Sequence, residues 1–283
     1  MQQLDIFADS RDVMLRNDVL ERLQQRDATP ARAALMRLTD EYPDDEASPA
    51  LAALVRALEA GSAAPLVDHE AFAQTHRVLA NEVVPAAQRV LSRQTVQAWL
   101  APLWRSLARR AAGLAFRAAA EDCHAAPVWL RAGDWESARA SVEGIESWWR
   151  IPAPLAWMTD ARYRSEGLDA AWPLLAELAW LAPVRFAALL SGLGDASLDA
   201  LRRRFDAGFA GTGDVEDFMW FPALRARGKQ WTPVGALKIL GSAVCEVSIR
   251  LAEKVDRTTV GVSIFRRKFR MVGSPIRQGF RLC

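Results

Sequence analysis

Apolar residues over the first 222 positions recur with the period of a helix. Ala31, Ala34, Leu35, Leu38 and Tyr42 fall at i, i+3, i+4, i+7 and i+11, and Leu51, Leu54, Val55 and Leu58 repeat that spacing. Ahead of them, Val13, Leu15, Val19, Leu20 and Leu23 share one helical face. The punctuation agrees with the stripes. Asp9 or Ser10 suits the start of the first helix, Thr29-Pro30 and Ser48-Pro49 each place a capping residue before a proline, and Gly61 follows the third stripe. The pattern predicts an all-α body over residues 10–222, built from antiparallel helix pairs with short loops. Leu35, Leu38, Leu51, Leu54 and Leu58 are its expected core, with tryptophans at 99, 104, 129, 135, 148, 149, 157, 172 and 180 filling the interior.

A longer spacing overlies the helical one. Gly133-Asp134-Trp135-Glu136-Ser137-Ala138 and Gly167-Leu168-Asp169-Ala170-Ala171-Trp172 are offset by 34 residues, and each follows one helix and opens another. That offset, with the break Tyr42-Pro43-Asp44-Asp45, resembles the tetratricopeptide repeat. The resemblance implies helix pairs stacked as a solenoid or a compact helical array, and a role in protein interaction. The stretch between Pro85 and Phe116 fits no repeat. Trp148, Trp149 and Trp157 are the candidate lining of a groove for a partner helix or peptide.

Before the first stripe stands Gln3-Leu4-Asp5-Ile6-Phe7. Gln3 offers an amide that both donates and accepts, Leu4 can pack on a pocket rim, and Ile6 with Phe7 forms a compact apolar plug. These five residues resemble the short peptide by which bacterial polymerases and repair factors dock on the sliding clamp. The resemblance implies an exposed arm over residues 1–9, a clamp partner and a place in replication or repair. The alternative is a scaffold without a clamp role, in which Leu4, Ile6 and Phe7 fold back on the first helix.

Composition narrows the class. With 51% apolar and 25% charged residues the chain reads as a globular protein, and no apolar run is long enough to span a membrane. No basic region followed by an apolar stretch marks the N-terminus, and Cys123, Cys245 and Cys283 are too few and too scattered for a disulfide framework, so a cytoplasmic location is expected. Charge is uneven. Residues 1–222 carry 23 Arg, no Lys and 31 acidic residues, whereas residues 223–283 carry nine Arg, all four Lys and three acidic residues. A boundary is therefore expected near Pro222, followed by a basic segment in which Arg266, Arg267, Lys268 and Arg270 interleave with Phe265 and Phe269. Such a segment could neutralise phosphates and stack bases, but its abrupt change of composition favours a piece of different coding origin over a nucleic-acid-binding module.

Candidate chemistry is sparse. His76 continues the stripe Phe72, Leu79, Val83 and reads as an interior histidine, and His69 lies too far along the same helix to share a metal with it. Glu121-Asp122-Cys123-His124 has the spacing used in di-iron bundles, yet neither other histidine has a Glu three residues before it. Gly192-Leu193-Gly194-Asp195-Ala196-Ser197 follows an apolar helix and reads as an interhelical turn, and Asp214, Glu216 and Asp217 as a solvated loop. The expectation is a non-enzymatic protein without cofactor or metal.

Overall fold

The computed structural model describes residues 10–61, 64–207 and 221. The arm over residues 1–9, the acidic cluster at 214–217 and the basic segment over 223–283 lie outside them. Every regular element among the described residues is helical, and the chain divides into two compact units, Met1–Trp148 and Trp149–Cys283. The division falls inside the stretch that the hydrophobic pattern treats as one body.

The first unit opens with α1 (Arg11–Gln25), α2 (Ala28–Glu41) and α3 (Ser48–Glu59). Ion pairs fix their directions. Arg11 Nε lies 2.6 Å from Glu41 Oε2 and Arg37 Nη2 lies 2.6 Å from Asp18 Oδ2, so the start of α1 faces the end of α2. Arg32 Nη2 donates to Glu59 Oε2 at 2.6 Å, which runs α3 antiparallel to α2 in turn. α1 and α3 also touch, so each member of the trio packs on the other two.

The core of the trio is close to the predicted one. Leu15, Val19 and Leu23 of α1, Leu38 of α2, and Leu51 and Leu54 of α3 are buried. Leu35 and Leu58 are only half-buried, whereas Ala34 and Val55 of the same two stripes are buried. The helix starts also move. α2 begins at Ala28 with Asp27 at the N-cap position, and α3 begins at Ser48, so Thr29 and Ser48 lie inside the helices that they were expected to cap. Pro30 and Pro49 are tolerated there because the first four helical N–H groups have no intrahelical partner to lose.

Asp45 takes over the cap of α3. Its Oδ1 accepts from Ala47 N at 3.0 Å, from Ser48 N at 2.9 Å and from Ser48 Oγ at 3.2 Å, while Oδ2 pairs with Arg16 of α1. Its carboxylate is fully buried, so one acidic side chain joins the α2–α3 loop, the start of α3 and the middle of α1.

The rest of the unit comprises α4 (His69–Val78), a π-turn (Leu79–Val83), α5 (Val84–Val90), α6 (Arg93–Arg110), a short 3₁₀ turn (Ala118–Ala120), α7 (Ala125–Arg131) and α8 (Trp135–Glu143). α3 packs on α5 and the π-turn, α6 on α4, α5 and α7, and α7 on α8. Trp99 of α6 pins the end of α1. Its Nε1 donates to Leu23 O at 2.8 Å, and Arg26, in the left-handed region at φ 59°, returns a bond to Trp99 O at 2.7 Å. The Arg26 guanidinium also lies 5.3 Å over the Trp99 ring, and these contacts offset the cost of a left-handed non-glycine residue.

The second unit contains α9 (Pro152–Glu166), α10 (Leu168–Leu181), α11 (Pro183–Leu193) and α12 (Ala196–Asp206). α9 packs on α10 and α11, repeating within this unit the mutual contact of three successive helices. Gly167, at φ 87°, is the whole joint between α9 and α10, which explains the glycine there. The turn at Gly194-Asp195 is interhelical as expected: Asp195 caps α12 through Ser197 N at 2.7 Å and Leu198 N at 2.9 Å, and receives the Tyr163 hydroxyl at 2.6 Å. Phe221 is fully enclosed, with ring centroids 5.4 Å from Phe186, 5.7 Å from Phe205 and 6.5 Å from Trp172.

Four substitutions separate these contributions. Leu54→Ala removes a fully buried side chain and is expected to cost about 2 to 5 kcal/mol, with Leu35→Ala well below it. Asp45→Ala removes the side-chain acceptor of Ala47 N, Ser48 N and Ser48 Oγ and the buried partner of Arg16, which keeps only Asp12, and is expected to cost about 3 kcal/mol. Phe221→Ala is expected to cost about 3 to 5 kcal/mol, so a chain ended after Pro222 should keep a stability that one ended after Ala207 loses. Denaturant titrations of these variants check each cost, and equal losses for Leu35→Ala and Leu54→Ala would contradict the assigned core.

Candidate functional site

The motif Gln3-Leu4-Asp5-Ile6-Phe7 lies ahead of the described residues, and what borders it can be stated. α1 starts at Arg11 after an extended Ser10, at φ −70° and ψ 134°. The Asp12 carboxyl is held below its ordinary range, first by a hydrogen bond from Ser10. A hydrophobic staple would place an apolar residue just before the cap against the fourth helical position. Those positions are Asp9 and Met14, and Met14 is 58% exposed.

The tryptophans divide by environment. Trp99, Trp104, Trp129 and Trp157 are buried, and Trp135, Trp172 and Trp180 are half-buried. Of the proposed groove trio, Trp148 closes the first unit and is half-buried. Trp149 and Trp157 belong to the second, with Trp157 in its core on α9 and Trp149 at 48% exposure.

A groove missed by the sequence reading lies in the first unit, and Pro85 accounts for its shape. Proline has no N–H to donate and its ring would collide with the carbonyl four residues before it. The helix absorbs this by a wider turn, in which Val84 N–H donates to Leu79 O five residues back. Ala80 and Val84 there face Val96, Leu100 and Trp104 of α6 across an open groove of about 280 Å³. Gln88 and Gln97 contribute amides to its lining, and Arg131 contributes a cation.

Arg131 is positioned from several sides. Its guanidinium lies 5.3 Å over the Trp104 ring and contacts Nε2 of His76, while Gln97 Nε2 donates to its carbonyl at 2.8 Å. The His76 ring stacks on Phe72 at 5.8 Å with 10° between planes. Burial, and then the charge of Arg131, push the His76 pKa down, so the neutral ring can accept from the guanidinium. His76 is thus half-buried beside Arg131, where the stripe placed it in the interior. The only advance signal was a proline within a helical period, and no spacing announced the meeting of His76 with Arg131.

The other histidines serve local structure. His69 Nε2 lies 2.8 Å from Ala115 O, and His124 Nδ1 accepts from Ala126 N at 3.2 Å as the cap of α7. His124 is buried, and burial, with a smaller contribution from His69, lowers its pKa from 6.5 to about 4. Burial similarly raises the Cys123 thiol, assisted by Asp122 and Glu70. Among the described residues no three His, Cys, Asp or Glu side chains converge on a possible metal position.

Compared with family models, curated proteins and solved structures, the chain has no match. Its function is therefore argued from its own residues.

His124 supplies a pH test. The unfolded chain takes up this proton near pH 6.5 and the folded chain only near 4, so the folded state binds fewer protons between those values. Stability is then lost as pH falls through that window, since a protonated Nδ1 cannot accept the cap bond. His124→Asn keeps a capping acceptor that does not titrate. The fall in melting temperature from pH 7 to 4 is expected to be shallower for His124→Asn than for the unaltered chain, and identical slopes would contradict the assignment.

Proposed function

We propose that this chain is a non-enzymatic helical interaction protein that docks on the bacterial sliding clamp through Gln3, Leu4, Asp5, Ile6 and Phe7. The observation that carries the reading is the five-residue match itself. The start of α1 at Arg11 and the exposure of Met14 support it, because they favour an arm that is not stapled to the first helix. Burying Leu4, Ile6 and Phe7 in a partner contributes roughly 1.5 to 3 kcal/mol each. Ordering about five backbone residues costs on the order of 1 to 2 kcal/mol each. These two contributions nearly cancel, so hydrogen bonds from Gln3 and the peptide backbone supply the net affinity of a reversible, micromolar contact, which a ring with several sites strengthens by avidity. A role in replication or repair, in the cytoplasm, belongs to this reading.

The runner-up is a tetratricopeptide-like scaffold for another protein, without a clamp or DNA role. Two features favour it: the mutual packing of three successive helices within each unit, and the 34-residue offset of the Gly133 and Gly167 joints. In that case Leu4, Ile6 and Phe7 pack on the protein itself.

Anisotropy of a labelled peptide spanning Met1 to Ser10 with a bacterial sliding clamp distinguishes the two. Binding is expected in the micromolar range, with at least about a tenfold loss for Leu4→Ala or Phe7→Ala and less for Asp5→Ala. No binding by the peptide, with a lower melting temperature for the Phe7→Ala chain, favours the scaffold.

A further inference from the structure

The groove beside the π-turn pairs an apolar wall with a cation that has no ion-pair partner among the described residues. In the same unit Arg11, Arg16, Arg22, Arg32 and Arg37 pair with a carboxylate, whereas others, Arg26 and Arg77 among them, do not do so among the described residues; Arg131 differs from these in lining the groove. Among the described residues Arg131 makes no ion pair. Its partners are the Trp104 face and the His76 ring, neither of which neutralises it. Asp122, the acidic group that acts through space on His76, is not within ion-pair distance of Arg131.

From this we infer that the groove is a second partner-binding site, which takes a peptide segment presenting a Leu- or Phe-sized side chain with a carboxylate within two residues of it. The side chain enters between Val84 and Leu100, and the carboxylate meets the Arg131 guanidinium. Charge complementarity selects this occupant. A guanidinium held in place over an aromatic ring presents a planar fork matched to a carboxylate, and little side-chain freedom remains to be lost on binding. About 280 Å³ holds one large apolar side chain and its flank, and Gln88, exposed on the lining, can bond to a peptide amide. The open form of the groove suits a chain that continues past it on both sides.

The test selects a random heptapeptide display library on the full chain, then measures the selected peptides against variants. Enriched sequences are expected to share an apolar residue with Asp or Glu within two positions. Their affinity should fall about tenfold or more for Arg131→Gln, which removes the cation, and for Gln88→Glu, which places a like charge at the groove. Both residues are exposed, and circular dichroism should report unchanged helix content. Val84→Trp, which fills the groove, should abolish binding. Failure to enrich any shared sequence, enrichment of sequences without an acid, or equal binding by Arg131→Gln overturns the inference. The clamp reading is untouched by each of these outcomes, because the selection does not involve residues 3 to 7.

Discussion

A carboxylate taken out of water must be answered on every side, and the first three helices are arranged around one. Asp45 accepts two backbone N–H groups and a hydroxyl at the start of α3 and holds the guanidinium of Arg16 on α1. Desolvating that charge is costly, so these partners are conditions of the fold. The register of α1, the path of the α2–α3 loop and the first turn of α3 must be correct together. The outer ion pairs Arg11–Glu41 and Arg37–Asp18 run along the exposed seam, where solvent screens them, so they mark direction more than they add stability.

Local joints carry the same logic through the rest of the chain. Gly133 and Gly167 both take positive φ, yet they make different turns. Gly133 precedes Asp134, whose carboxylate caps α8, whereas Gly167 alone separates α9 from α10. The shared spacing therefore reflects a shared need for a left-handed backbone position, met by two local solutions. Trp172, Phe186 and Phe205 enclose Phe221, one residue before the change in composition.

Helix content and the buried stripe were legible in the sequence because a 3.6-residue period records which side of a helix meets its neighbour. The record blurs where Ala and Leu stand side by side. Ala34 and Val55 are buried, whereas Leu35 and Leu58 are only half-buried. Cap positions slipped because an Asp three residues before a helix can reach the N–H groups that a nearer Ser was expected to serve. The groove was not legible at all. It needs the π-turn that Pro85 imposes and the meeting of His76 with Arg131, 55 residues apart. Nor does a helical stripe tell a core tryptophan such as Trp157 from an exposed one such as Trp149. The motif at residues 3 to 7 lies outside the described residues, and its five consecutive positions need no fold to bring them together.

In the proposed function, residues 1 to 9 supply a partner to a helical body whose folding follows from its caps and stripes. The central claim is that residues 3 to 7 are free to dock and that the clamp is what they dock on. Amide hydrogen exchange of the full chain, with and without a bacterial sliding clamp, addresses both halves at once. Fast exchange over residues 3 to 7 in the free chain, slowed by the clamp while α1 to α3 are unchanged, is the predicted result. Protection of those amides in the free chain, or clamp-induced protection confined to the helices, would contradict it.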